Sequence, residues 1–298
     1  LAAGALVTST GSSLAVPDWP LAYGQVFPPM VGGILYEHGH RLVASAVGLL
    51  TLVLAGWLLW AEPRRWVRWL GLWAVVAVIV QGVLGGLTVL FLLPKPISIS
   101  HAVLGQLFFL LAVALVQVTS GQWGALLHPA EPRRPGRLGP LGMATFAAVL
   151  LELVLGATVR HHAAGLAIPD FPLAYGRLIP PLGAFPIAIH FAHRVGALVV
   201  LVLIAVQTVV VLRQHRVQAA LRRPALAAAL LTILQLVLGA LVIWTQRAVP
   251  ITTLHLVNGA LLLAATGLLA LRAVVLVPPW RSPGRLSAGA GVQGAGRS

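Results

Sequence analysis

The sequence predicts an all-α integral membrane protein: eight transmembrane helices forming two pseudo-symmetric four-helix bundles, with the first helix truncated at its start. Three observations predict it. Of 298 residues, 59% are apolar and only 9% charged, where a soluble domain has about a quarter charged. The apolar residues fall into runs of about 20, enough to cross a bilayer as a helix, and in hydrocarbon only helices and closed barrels satisfy their own backbones. The chain also repeats itself. Pro17-Asp18-Trp19-Pro20-Leu21-Ala22-Tyr23-Gly24 returns as Pro169-Asp170-Phe171-Pro172-Leu173-Ala174-Tyr175-Gly176, and His40-Arg41 returns as His193-Arg194.

The apolar runs place helices at 1–9, 38–60, 67–91, 98–120, 138–160, 188–212, 224–245 and 252–275. The first is too short to span, whereas its counterpart in the repeat follows a full apolar helix, so the first helix is read as having lost residues at its start. A cleaved signal peptide is the weaker reading. The net charge of +14 does not indicate nucleic acid, because its distribution follows topology. Arg64, Arg65 and Arg68 form one cluster, Arg133, Arg134 and Arg137 a second, and Arg213, Arg216, Arg222 and Arg223 a third. They fall in every second loop, the positive-inside pattern. The loops near 61–66, 121–137 and 213–223 and both termini are then cytoplasmic, and membrane lipid is the partner of the basic excess. The loops 10–37, 92–97, 161–187 and 246–251 face outward. With no cysteine, disulfides, thiolate ligands and iron–sulfur clusters are excluded.

The repeat spacing is 152 residues from Asp18 to Asp170, 153 from His40 to His193, and 154 from both His101 to His255 and Gln81 to Gln235. Four helices per half give both halves the same orientation, a parallel repeat. The halves span 1–127 and 138–277, separated by the Pro/Arg-rich stretch 128–137. A Gly/Ser/Ala-rich tail, 278–298, reads as disordered. The outer loops 14–30 and 166–182 are rich in Pro and aromatics, so they are stiff. Each would wall a pocket over the mouth of its own bundle, or else form an ordinary interfacial aromatic belt.

The candidate ligands are His40, His101, His193 and His255. His40 and His101 open the second and fourth helices, and His193 and His255 open the sixth and eighth. Alternate helices of an antiparallel bundle run the same way, so each pair lies at one depth and can face across its core, the geometry of bis-histidine haem ligation. A lone histidine would more simply bond a neighbouring helix. A zinc site wants about four protein ligands, and each half offers two. Arg41 and Arg194 follow their histidines and are candidates to pair with haem propionates or to snorkel to lipid headgroups. Glu37 lies one helical turn from His40, where the second half has His190. A carboxylate beside one site only points to proton handling there, the simpler alternative being an interfacial pair with Arg41. Asp18 and Asp170 read as braces of loop backbone. Glu152 is an isolated acid in mid-helix. His128 and His215 are expected to be solvated, and His38, His161 and His162 to lie at the outer surface.

Glu37-x-x-His40-Arg41, His101, His193-Arg194 and His255, with the Pro-Asp-Trp-Pro-Leu loop and Thr10-Gly11-Ser12 before it, resemble the haem A synthase family over nearly the whole chain. The resemblance implies oxidation of the C8 methyl of haem O to a formyl group by successive hydroxylations. It implies haem b on His193 and His255, and substrate haem O on His40 and His101 with Glu37 as the catalytic carboxylate. The partners it implies are haem O, its product haem A, the enzyme that makes haem O, and an electron carrier. The setting it implies is a bacterial plasma membrane, with the haem sites near the outer face. Some members carry a cysteine pair in the first outer loop, whereas Ala15 to Ala22 here has no sulfur. Two other readings fit the histidines: a non-catalytic di-haem cytochrome passing electrons from quinol, and a haem carrier handing haem to an oxidase.

Overall fold

Seven helices among the described residues are long and apolar enough to cross a membrane. The computed structural model describes residues 1–128 and 136–277. The helices are α1 (Ala2–Ser9), α2 (Gly32–Ala61), α3 (Arg65–Leu90), α4 (Lys95–Thr119), α5 (Gly121–Leu127), α6 (Leu138–His161), α7 (Phe185–Gln214), α8 (Ala219–Trp244) and α9 (Val249–Leu276). All but α1 and α5 are spans, which makes this a multi-pass membrane protein. Arg133, Arg134 and the tail 278–298 lie outside the described residues.

In the second half α6 packs on α7 and α9, α7 on α8, and α8 on α9. That ring buries α9 deepest, with Leu263, Leu269 and Ala273 sealed inside. In the first half α1, α2, α3 and α4 pack in succession, and α1 leans on α9. The halves meet where α4 touches α6 and α9. Two arginines fasten them. Arg160 of α6 donates to Ala5 O (2.7 Å) and Ser9 Oγ (2.9 Å). Arg272 of α9 donates through Nε to Gln117 Oε1 of α4 (3.0 Å) and through Nη1 to Ala220 O (3.0 Å), with a further N–H on Gln117.

The repeat extends to backbone conformation. Tyr23 and Tyr175, Leu92 and Gln246, and Leu93 and Arg247 share positive φ at matching positions, a region that costs an L-residue roughly 1–2 kcal/mol. Duplicated strain of this kind means that both halves close their outer turns in the same way.

The structure revises four expectations. The helices carrying the histidines begin earlier than their apolar windows, at Gly32, Lys95, Phe185 and Val249. His40 and His193 are therefore about two turns inside their helices rather than at the opening. The extra turns are polar, but the folded loops supply partners for them. His38 is accordingly buried, its Nε2 2.9 Å from Val26 O. In the expected loop 121–137, Gly121–Leu127 forms α5 because Trp123 and Leu126 can pack with Leu58, Val67 and Leu115. His215, expected to be solvated, is buried below α7, and that burial pushes its imidazole below the ordinary histidine range.

Candidate functional site: two pairs of histidines under duplicated loops

Each outer loop ties itself into the same knot. Tyr23 and Gly24 turn through left-handed conformations, with Ala22 and Gln25 bridged across them. The Asp18 carboxylate accepts the amides of Tyr23 (2.7 Å) and Gly24 (2.9 Å), and Tyr23 Oη donates to Ala15 O (2.6 Å). Asp170 accepts from Tyr175 (2.7 Å) and Gly176 (2.8 Å), and Tyr175 Oη donates to Ala167 O (2.5 Å). The Gly24 and Tyr23 amides hold the Asp18 carboxyl below the usual carboxylate range, and those of Gly176 and Tyr175 do the same for Asp170. The two aspartates act as loop braces.

The arginines beside the ligands buckle these knots to the helices. Arg41 Nη1 donates to Asp18 O (2.7 Å) and Leu21 O (2.9 Å), and its Nη2 to Val16 O (3.2 Å). Arg194 donates to Leu173 O (2.8 Å), Ile168 O (3.1 Å) and Asp170 O (2.8 Å). Their terminal nitrogens are thus occupied by loop carbonyls.

Glu37 and His190 fill one structural role with different chemistry. Buried Glu37 accepts the Val16 amide on Oε2 (2.9 Å) and Arg41 Nη2 on Oε1 (2.7 Å). Buried His190 accepts the Ile168 amide on Nδ1 (3.3 Å) and faces Arg194 Nε through Nε2 (3.4 Å). Both brace loop to helix, but only one is a carboxylate.

Below the knots the structure brings the expected ligands together in pairs. The rings of His40 and His101 have centroids 6.5 Å apart, and those of His193 and His255 6.4 Å. Nitrogens bound about 2 Å either side of one metal ion, plus a ring radius of about 1 Å at each end, give roughly 6 Å. Each ring also lies against a glycine of a neighbouring helix. A Cβ would come within 3.2 Å of His40 Cε1 at Gly4, 3.1 Å of His101 at Gly85, 3.0 Å of His193 at Gly156 and 3.4 Å of His255 at Gly239. Four glycines at mid-helix, each about 1 kcal/mol worse than alanine in helix propensity, clear space for four imidazoles. Among the described residues no three His, Cys, Asp or Glu side chains group as a metal cage, so the donor set is two imidazoles per site. That fits the axial positions of a haem.

Beneath each pair, Gln81 Nε2 donates to His101 O (2.9 Å) and Gln235 Nε2 to His255 O (3.1 Å). The halves differ here too. Gln235 Oε1 accepts from Asn258 Nδ2 (2.7 Å), whereas Gln81 Oε1 is buried without a partner. The position matching Asn258 is Leu104. Sequence reasoning missed Asn258, although a lone amide in an apolar helix one turn from a candidate ligand is a readable signal.

A family described as cytochrome oxidase assembly protein, COX15-CtaA, matches residues 30–266. Proteins named "Heme A synthase" are similar along most of the chain. That of Halalkalibacterium halodurans is 31% identical over 262 residues, 85% of each chain. That of Geobacillus kaustophilus is 30% identical over 261 residues, 86% of this chain and 81% of its own. That of Symbiobacterium thermophilum is 34% identical over 208 residues, 67% of each.

Proposed function

Because the chain belongs to the COX15-CtaA family of cytochrome oxidase assembly proteins, and its relatives are haem A synthases, we propose that its two histidine pairs divide the work of oxidising haem O to haem A. The protein is an oxidoreductase that makes haem A from haem O. In our reading, residues 1–127 and 138–277 form two pseudo-symmetric four-helix bundles. The first bundle holds substrate haem O between His40 and His101, and the second holds haem b between His193 and His255. Both sites lie near the outer face of a bacterial plasma membrane, with the termini cytoplasmic.

The single observation that carries the division is the exchange of Glu37 for His190 within otherwise matching scaffolds. Two equal electron-carrying sites would have no use for a carboxylate at one alone. Haem b, when bound, supplies one-electron transfer. The chain's own groups do the rest. His40 and His101 hold the substrate's iron and so fix its ring under the first loop. Glu37, located by Arg41 and the Val16 amide, takes or returns protons at its carboxylate oxygens as the C8 methyl is hydroxylated twice and the gem-diol loses water to leave the formyl group. Arg41 and Arg194, caged in loop carbonyls, place fixed positive charge at each mouth, which draws haem propionates to that end. The enzyme that makes haem O and an electron carrier are the protein partners this chemistry calls for.

The test is extraction and mass-resolved chromatography of the haems from protein made in cells supplying haem O. Haem b with haem A or its hydroxylated precursor is expected. Haem b alone, with haem O present in the membrane but neither bound nor altered, would replace this reading by a di-haem electron carrier.

A further inference from the structure

We infer that Glu152 is a positioning residue for the second site: its carboxylate holds the imidazole of His193 and thereby lowers the reduction potential of the haem ligated there. This rests on the reading that His193 and His255 hold haem b.

Glu152 stands in the middle of α6, where an ionisable group in a membrane span needs a specific partner. Its Oε1 lies 2.7 Å from His193 Nδ1. The contact takes up one ring nitrogen and leaves Nε2 for iron, the arrangement in which a carboxylate orients a metal-bound histidine and raises its basicity.

A second observation shows that the fold makes room for this acid. Gly196 of α7 lies one turn from His193, and a Cβ there would fall 2.0 Å from Glu152 Oε2. The matching residue of the first half, 153 positions earlier, is Val43. The opening that admits the carboxylate thus belongs to the second site alone. The ligand that opens onto backbone in the first site has a neutral neighbour, His101 Nδ1 being 3.2 Å from the Gln81 carbonyl.

The electrostatic consequence has a definite sign. Taking up one electron converts iron(III) to iron(II) and removes one positive charge. A carboxylate on the far side of the imidazole favours the more positive iron(III), so it makes the haem harder to reduce. A haem poised low passes electrons onward readily.

The experiment is a spectroelectrochemical titration of the purified full-length protein with its bound haems, comparing the wild type with Glu152→Gln and Gly196→Ala. The second variant leaves the acid in place but pushes it off its seat. Both should raise the midpoint of the haem that disappears in His193→Ala. The expected change is at least tenfold in the ferric-to-ferrous ratio at fixed potential, which is about 59 mV for one electron. Glu152→Asp should fall between them and the wild type. An unmoved midpoint with haem still bound overturns the inference and leaves the site assignment standing. Should Glu152→Gln lose its haem, Gly196→Ala decides alone. If His193→Ala removes no haem, the assignment of the site fails, and the inference with it.

Discussion

The two halves build identical knots in their outer loops and part company beneath them. Asp18 and Asp170, Tyr23 and Tyr175, and Arg41 and Arg194 make the same hydrogen bonds in both. Differences gather around the imidazoles. The first half has Glu37 where the second has His190, and the second has Glu152 seated by Gly196 and Asn258 bonded to Gln235. The first half has Val43 and Leu104 at those last two positions and a buried Gln81 oxygen without a partner. Residues shared by both halves hold a haem-sized object in place, whereas the unshared ones decide what happens to it. A site that supplies its own polar partners suits a resident group. A site with an unpaired buried acceptor and a carboxylate at its rim suits a visitor that is changed and released.

The sharpest way to break this contrast is to remove ligands one half at a time. His193→Ala or His255→Ala should strip the resident haem and with it activity. His40→Ala or His101→Ala should abolish haem A formation while leaving the resident haem's low-spin spectrum unchanged. The same spectral loss from either half would dissolve the distinction. Next in size is Glu37→His, which rewrites the first half in the second half's terms. Since His190 already braces its loop, the variant should fold and bind haem but make haem A at least about 100-fold more slowly, the usual worth of a positioned acid–base group. Undiminished product from Glu37→His would reduce Glu37 to the loop brace that its bonds to Val16 and Arg41 also describe.

Much of this was legible in the sequence because the repeat is itself a measurement. Matching histidines at a fixed offset identify ligands without any structure, and apolar runs locate spans because hydrocarbon demands them. Helix starts were misread by up to six residues, at Gly32 against 38, because hydropathy detects lipid contact. The turn containing Tyr36, Glu37 and His38 is polar yet helical, since Val16 and Val26 in the folded loop satisfy its side chains. Long-range pairs such as Glu152 with His193, and the glycine that admits them, connect different helices. Spacing along one chain cannot reveal them.

The ring-packing glycines offer a graded comparison. Alanine at Gly156 would meet His193 at 3.0 Å, and alanine at Gly239 would meet His255 at 3.4 Å. Gly156→Ala should therefore disturb the low-spin haem spectrum visibly, and Gly239→Ala hardly at all, although helix propensity alone favours each by about 1 kcal/mol. Equal effects would mean that the rings shift freely. Loop closure should respond to acid equally in both halves. Each aspartate is held below its unfolded value of about 3.9, so its stabilising effect is complete above that pH. It is lost as pH falls through the lower folded value. Limited proteolysis at 14–30 and 166–182 should stay slow at pH 5 and quicken together below about pH 4. One loop opening at neutral pH would show that the knots are not equivalent.

The smallest effects come from the amide beneath each pair. Asn258→Leu makes the second half resemble the first, stranding Gln235 Oε1 and removing the bond from Asn258 Nδ2 to Leu231 O (2.8 Å). A buried acceptor left unpaired costs about 1–3 kcal/mol, so the thermal midpoint should fall while the haem spectrum persists. Leu104→Asn is the reciprocal change, offering Gln81 Oε1 a donor. If that oxygen is idle because a visitor must come and go, Leu104→Asn should stabilise the protein by about 1 kcal/mol and slow turnover. If it is merely a packing defect, stability should rise and turnover should not change. The reciprocal pair therefore separates a tolerated flaw in the first bundle from a feature kept for exchange.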